Sequence, residues 1–391
     1  MGRKSRRLST GTDVVDAGMV PTPVVYFAMR EQGIESAAVV TASHNPPEYT
    51  GFKFCKKDAL AMSRDGGMRS IEDIYEMELF DEGEASRRKI EVEQDYIDAV
   101  VERFGTGKDI DVAVNFGNGV AAEVGEKMLE ELGCKVNPIN DTVDGSFPNH
   151  LPDPTKEEAQ QALIDEMDGE DLGIIFDGDG DRAGFILPGY GYIEEDKVLA
   201  LFAEECLEKG EGKVVHDLRA SKLVPERVRE SGGRPVETRV GHTFISEEIH
   251  SDDEIVFAGE LSGHYYFPVF GFPFDDGLFA AALMVEMAAS EDLRQRIEAY
   301  PDYPVSPELR IDCPEEAKQE VVQGMKDSYS DHEVSTIDGA KIHFDDGWAL
   351  VRPSNTEDKM SVRCEGNTQE AVDRILEEVE SEVRRLIDQE S

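Results

Sequence analysis

The chain has 391 residues, 84 of them acidic and 40 basic, for a formal charge of −44 at pH 7. A charge of this sign argues against nucleic acid or an anionic membrane as a partner, and 39% hydrophobic residues leave enough material for two to four packed domains. Regular apolar runs and turn signals argue against disorder, so the acidity reads as that of a folded protein from a salt-rich cytoplasm, where surface repulsion is screened.

Residues 1–7 are basic, but no apolar run follows them, so they do not form a secretory signal. The first strand-like run, residues 37–40, ends on Thr41-Ala42-Ser43-His44-Asn45-Pro46. A serine on a loop at the end of a buried strand is placed to act as a nucleophile or to carry a phosphate, although alone the Ser-His pair also reads as a solvated turn. Residues 111–114 form the next strand candidate, followed by a helix-like run over 121–132 and a strand over 135–139. The glycines at 117, 119 and 125 imitate a dinucleotide fingerprint, but their spacing is wrong and no acidic partner follows, so a plain strand-to-helix turn is expected. The same rhythm returns at residues 173–176, 212–215 and 254–257, which implies parallel sheets covered by helices. The longest apolar stretch, residues 278–289, contains Glu286 and is too short to span a bilayer, so it reads as a core helix.

Tyr300-Pro301-Asp302-Tyr303-Pro304 reads as a linker. Beyond it, strand-like pieces at 337–344 and 348–351 precede a long helix over 368–387, which suggests an α+β unit. The breaks divide the chain into segments 1–105, 106–208, 209–300 and 301–391. Five cysteines without CxxC spacing suit reduced thiols rather than a disulfide frame or a zinc site.

Three further motifs carry chemistry. Asp177-Gly178-Asp179-Gly180-Asp181-Arg182 follows an apolar strand and sets three carboxylates at alternate positions, able to converge on one hard divalent cation. An EF-hand reading fails because Arg182 stands where glycine is required and Pro188 where glutamate is. Vacant positions on the metal would suit magnesium sharing a phosphate, with Arg182 at hand for the transferring oxygens. Arg352-Pro353-Ser354-Asn355-Thr356-Glu357 follows a strand and gathers a guanidinium, two hydroxyls and an amide into a phosphate cradle; alone it also reads as a turn. Gly259-Glu260-Leu261-Ser262-Gly263-His264 offers Glu260 and Ser262 to sugar hydroxyls and His264 to a phosphate or a proton; alone it also reads as a glycine-rich loop with a solvated histidine.

In this order and at these separations, the four loops resemble those of the alpha-D-phosphohexomutase superfamily, in its phosphomannomutase/phosphoglucomutase branch. The resemblance implies an α/β fold: three similar mixed-sheet domains, the first truncated, and a C-terminal α+β domain around a central cleft. It implies that Ser43 carries a phosphoryl group and that Mg²⁺ binds there with Asp177, Asp179 and Asp181. Lys53 is then a candidate acid/base with Arg182 and His44 beside the serine. Arg219, where the family often has lysine, and His242 would line the substrate site with Glu260, Ser262 and His264, while Arg352, Ser354, Asn355 and Thr356 would hold the non-reacting phosphate. The implied reaction interconverts hexose 1-phosphate and hexose 6-phosphate, of mannose or glucose, through a 1,6-bisphosphate that also serves as activator. Phosphoglucosamine mutase and an inactive sugar-phosphate-binding remnant are the alternatives, and the implied assembly is a monomer or homodimer. The chain enters the family pattern near Asp13 to Gly18 and Pro21-Thr22-Pro23, so an uncovered apolar face is expected in the first domain.

Overall fold

A computed structural model describes residues 11–80, 83–354 and 357–390. The chain forms two compact bodies: one of residues up to Glu195 with Ser246–Asp253 and Ser262–Gln295, the other of Asp196–Ile245, Glu254–Leu261 and Arg296–Ser391.

In the first body, a five-stranded sheet carries the strands Gly191–Tyr192, Ala183–Leu187, Leu172–Phe176, Asp111–Asn115 and Lys135–Ile139 in that spatial order. The last three run parallel, and every residue of Leu172–Phe176 is buried, as an interior strand covered on both faces requires. Ala183–Leu187 pairs antiparallel with Leu172–Phe176, which makes the sheet mixed, as the family resemblance implies, where the βα rhythm by itself reads as parallel. The reason is the connection: residues 177–182 are too few for a crossover, which needs about a dozen residues or more, so the chain turns straight back. The helix Gly277–Ser290 packs on these two strands. Its buried run from Gly277 to Val285 confirms the core helix read at 278–289. Gly125, in the helix Ala121–Leu132, lets that helix approach closely: a Cβ there would lie 3.0 Å from Leu278.

A smaller antiparallel sheet of Ser36–Val40, Phe52–Lys56 and Leu60–Ala61 carries the serine loop between its first two strands. The run 37–40, read from the sequence as a buried strand, is not one: Ser36–Val40 has no buried residue, and Val40 and Phe52 are 66% and 58% exposed, because this three-stranded sheet leaves one face uncovered among the described residues.

In the second body, Arg234–Thr238, Lys213–Asp217 and Ile255–Gly259 lie side by side in parallel. The C-terminal part is an antiparallel sheet in the order Leu309–Asp312, Lys359–Gly366, Gly347–Pro353, Ala340–Phe344, Glu333–Ser335. The helices Lys318–Ser328 and Gln369–Glu390 pack on it. Val372, Ile375, Val379, Val383 and Leu386 recur at helical spacing and share one hydrophobic core with Val321, Met325, Ile342, Val351 and Val362. The α+β expectation for this segment holds. The strand read from residue 337 begins only at Ala340, because Gly339 takes a φ of +91° and turns the chain first. All five cysteines are buried and unbridged. Among the described residues, no helix is long and apolar enough to cross a membrane.

Candidate active site

Ser43 sits just past the strand Ser36–Val40 with a φ of +52°, a left-handed conformation that costs a non-glycine residue about 1–2 kcal/mol. Local bonds hold it there: its amide donates to Thr41 Oγ1 at 2.8 Å, and Asn45 donates twice to the Ala42 carbonyl, each at 2.9 Å. The strained turn aims Oγ inward, where it donates to Asp177 Oδ2 at 2.8 Å and accepts from Arg182 Nη2 at 2.9 Å. His44 Nδ1 lies 3.1 Å from the same oxygen and also meets Arg182 Nη2. Burial, helped by the Arg182 charge, lowers the His44 pKa to about 4, so the imidazole is neutral at pH 7.

Residues 177–182 close the hairpin between Leu172–Phe176 and Ala183–Leu187. Asp177 and Asp181 are fully buried and Asp179 is nearly so. The Asp177 Oδ1 accepts from the Gly180 amide at 2.9 Å, and the Thr22 hydroxyl donates to Asp179 Oδ2 at 2.7 Å. Lys53, on the strand Phe52–Lys56, donates to Asp179 Oδ2 at 2.8 Å and to Asp181 Oδ2. Glycine is required in this loop for close approach: a Cβ at Gly178 would lie 2.3 Å from the Ser43 carbonyl oxygen. The turn at 117–119 also serves it, since the Val120 amide donates to the Gly178 carbonyl at 3.1 Å and a Cβ at Gly119 would lie 2.8 Å from that oxygen.

The charges in this nest divide unevenly. Burial and the nearby Asp179 and Asp181 push the Asp177 carboxyl well above its ordinary range. Burial acts in the same direction on Asp181, but Lys53, His264 and Arg182 outweigh it and hold that carboxyl well below. The neighbouring carboxylates likewise overcome the effect of burial on Lys53 and keep its ammonium firmly protonated. Ligand oxygens of Asp177, Asp179 and Asp181 all lie within 4.8 Å of one another. Among the described residues, buried Asp179 Oδ1 accepts no hydrogen bond, while buried Asp181 Oδ1 faces His264 Nε2 at 3.4 Å. An all-oxygen donor set of this kind fits a hard divalent cation.

His264 and Ser262 belong to the same body. Ser262 Oγ lies 2.9 Å from His264 Nδ1, while His264 Nε2 lies 3.4 Å from Asp181 Oδ1 and 3.8 Å from Asp275 Oδ2. His264 is thus turned to the carboxylates of the metal loop. Its loop is tied there by the Ala183 amide donating to the Gly263 carbonyl at 3.2 Å.

The second body holds the other candidates. Arg219 is clamped on Asp217, through Nε to Oδ1 at 3.1 Å and Nη2 to Oδ2 at 2.8 Å. Glu260 is buried and accepts from the Gly241 amide at 3.2 Å, next to His242 at the start of the helix His242–Ser251. Arg352 pairs with Asp338 at 2.8 Å. Ser354 Oγ accepts from the Glu357 amide at 3.1 Å, and buried Lys318 donates to the Ser354 and Glu357 carbonyls at 2.9 and 2.8 Å. Asn355 and Thr356 lie outside the described residues.

Four family descriptions match in succession: phosphoglucomutase/phosphomannomutase alpha/beta/alpha domain I over residues 7–82, domain II over 94–189 and domain III over 194–303, then the C-terminal domain over 308–382. The chain belongs to the phosphoglucomutase/phosphomannomutase family. It is 34% identical over 373 residues to the phosphomannomutase/phosphoglucomutase of Pseudomonas aeruginosa, covering 93% of this chain and 80% of that protein. It is 35% identical over 394 residues to a probable phosphoglucosamine mutase of Methanopyrus kandleri, covering 97% and 85% of the two chains. The structure of a phosphoglucomutase/phosphomannomutase family protein from Burkholderia thailandensis superposes with a TM-score of 0.88 at 32% identity, over 97% of this chain and 84% of that one. The membership bears out the resemblance to the alpha-D-phosphohexomutase superfamily.

Within this family member, the structure brings Ser43, His44, Lys53, Asp177, Asp179, Asp181, Arg182 and His264 into one contact network. Sequence reasoning passed over Thr22, Asp217, Asp275 and Lys318. Of these, Thr22 had a local signal, since it stands between Pro21 and Pro23. The other three each take at least one partner from outside their own turn (Leu261 for Asp217, His264 for Asp275, Ser354 for Lys318), and no spacing announces that.

Proposed function

We propose that this phosphohexomutase interconverts hexose 1-phosphate and hexose 6-phosphate, of glucose or mannose, by way of a phosphoryl group on Ser43. The observation that carries the reading is the convergence of Asp177, Arg182 and a neutral His44 on one strained serine hydroxyl. A hydroxyl oxygen of the sugar phosphate attacks the phosphorus of phospho-Ser43 and gives up its proton, the P–Oγ bond breaks, Ser43 Oγ ends as a hydroxyl with a proton in place of the phosphoryl group, and a hexose 1,6-bisphosphate forms. Return of its other phosphoryl group to Ser43 releases the isomer. Arg182 meets the transferring oxygens with its bidentate edge, and Lys53 holds positive charge against them. The Lys53 ammonium supplies electrostatic stabilisation and a proton to donate, in keeping with the acid/base part assigned to it. Asp177, Asp179 and Asp181, with the phosphoryl group on Ser43, would hold Mg²⁺, which supplies charge neutralisation on that group. Arg219, His242, Glu260 and Ser262 are assigned to the sugar phosphate, and Arg352, Ser354, Asn355 and Thr356 to the phosphate that does not react.

The test is mutase turnover of glucose 1-phosphate, mannose 1-phosphate and glucosamine 1-phosphate, in multimolar KCl with Mg²⁺ and a trace of glucose 1,6-bisphosphate. Turnover of glucose or mannose phosphate that Ser43→Ala lowers by about a thousandfold or more is expected, as for loss of a covalent nucleophile. Turnover of the amino sugar alone would overturn the sugar assignment, and an active Ser43→Ala protein would overturn the phosphoserine.

A further inference from the structure

Asp217 is the last residue of the strand Lys213–Asp217, and it is fully buried. Its carboxylate accepts four hydrogen bonds. Oδ1 takes the Arg219 backbone amide at 2.7 Å and Arg219 Nε at 3.1 Å; Oδ2 takes Arg219 Nη2 at 2.8 Å and the Leu261 amide at 3.0 Å. We propose that Asp217 is a positioning residue that fixes the Arg219 guanidinium and the Glu260–Leu261 peptide as one unit, setting substrate affinity and sugar preference. The inference rests on the mutase reading above.

The geometry supports a role beyond capping a turn. An aspartate that accepts only the amide two residues on makes an ordinary Asx turn. Asp217 does this and also clamps one edge of the Arg219 guanidinium, whose remaining N–H donors are then held in a set direction. Arg219 stays 26% exposed at its side chain while its partner is sealed, so the pair presents a cation and hides the anion. The Leu261 amide belongs to the same peptide plane as the Glu260 carbonyl. Fixing it fixes where the Glu260 side chain leaves the backbone, and that carboxylate is in turn stitched to the Gly241 amide at 3.2 Å, beside His242. One buried carboxylate thus couples two of the residues assigned to the substrate, Arg219 and Glu260. A lysine in place of Arg219 would reach Asp217 as a point charge, without two parallel bonds. Arginine therefore makes the clamp rigid in this chain.

The experiment measures kcat and KM for glucose 1-phosphate and mannose 1-phosphate with the full chain, Mg²⁺ and glucose 1,6-bisphosphate in multimolar KCl. Calorimetric binding of glucose 1,6-bisphosphate runs alongside. In Asp217→Asn, KM for both sugars is expected to rise about tenfold or more, kcat to fall less than that, and the kcat/KM ratio of the two sugars to move about threefold. Arg219→Lys should raise KM by a smaller factor, and the double variant should lie close to Asp217→Asn, because the two changes break one unit. A folded Asp217→Asn protein with KM, bisphosphate affinity and sugar ratio within twofold of the parent overturns the inference, as do fully additive effects. Should Asp217→Asn fail to fold, Arg219→Lys decides: an unchanged KM and sugar ratio overturn it, and a raised KM supports it. A parent protein that neither turns over hexose phosphates nor binds the bisphosphate overturns the mutase reading, and this inference with it.

Discussion

Replacing Lys53 with methionine tests the charge balance of the metal loop directly. Lys53 Nζ donates to Asp179 Oδ2 at 2.8 Å and to Asp181 Oδ2, and its side chain is only 17% exposed. The three loop carboxylates lie within 4.8 Å of one another, and Arg182 reaches Asp177 with Nε at 3.4 Å. Methionine keeps much of the aliphatic volume and removes the cation, leaving Asp179 and Asp181 as buried charges that have lost it. Breaking a buried pair by removing one partner costs about 3–5 kcal/mol. For a body of this size each kcal/mol moves the melting temperature by about 2–4 °C, so the first transition should fall by about 6–20 °C in EDTA. The sign with Mg²⁺ is equally definite. In the parent, a cation at the loop must share Asp179 and Asp181 with an ammonium already bound there; in Lys53→Met it does not. The variant should therefore gain more from Mg²⁺ than the parent, and at one hundred times Kd the gain amounts to about 2.7 kcal/mol. Differential scanning fluorimetry in high KCl, with EDTA and then with Mg²⁺, reads both effects. A variant melting within about 2 °C of the parent in EDTA, or equal Mg²⁺ shifts in the two proteins, would refute the reasoning.

Two more predictions follow from the same body. Gly178→Ala puts a Cβ 2.3 Å from the Ser43 carbonyl oxygen, so the serine loop must shift; a displacement near 1 Å costs about a hundredfold in turnover. Unchanged circular dichroism with that loss is expected, and retained activity would show that the loop yields without consequence. Asp276 caps the helix Gly277–Ser290 and accepts from the Tyr96 hydroxyl at 2.8 and 2.9 Å, and burial lifts its carboxyl to about 8. The folded chain thus holds a proton that the unfolded chain releases near pH 3.9, roughly the free carboxyl value. That stabilisation is complete below the unfolded value and is lost as pH rises through about 8. Asp276→Asn keeps one acceptor oxygen, which can take the Phe279 amide and the Tyr96 hydroxyl as Oδ1 does, without the titration. The melting temperature of the parent should therefore fall relative to the variant between pH 6 and 9, and parallel curves would count against the assignment.

What the sequence discloses here depends on how far apart the cooperating atoms lie along the chain. The metal loop is legible because its three carboxylates alternate with glycine within six positions, and the helix Gln369–Glu390 because Val372, Ile375, Val379 and Val383 repeat its period. Sheet direction at Ala183–Leu187 was open to the same kind of argument, since the length of the 177–182 connection decides it. The βα rhythm elsewhere pointed the other way. Roles set by distant partners were out of reach. His264 stands in a loop that reads as sugar-facing, yet its Nε2 lies 3.4 Å from Asp181, and the Gly263 carbonyl helps to hold the loop there by accepting from the Ala183 amide. Arg352 reads as a phosphate ligand, and its pairing with Asp338 at 2.8 Å, across the turn that Gly339 makes, has no signal in that motif. Asp217 looks like the end of a strand and nothing more. Its importance lies in two donors, Arg219 and Leu261, of which only the first is near in sequence. Motif spacing thus names the groups that face a ligand, while the carboxylates that aim those groups become visible only when the fold brings their donors together.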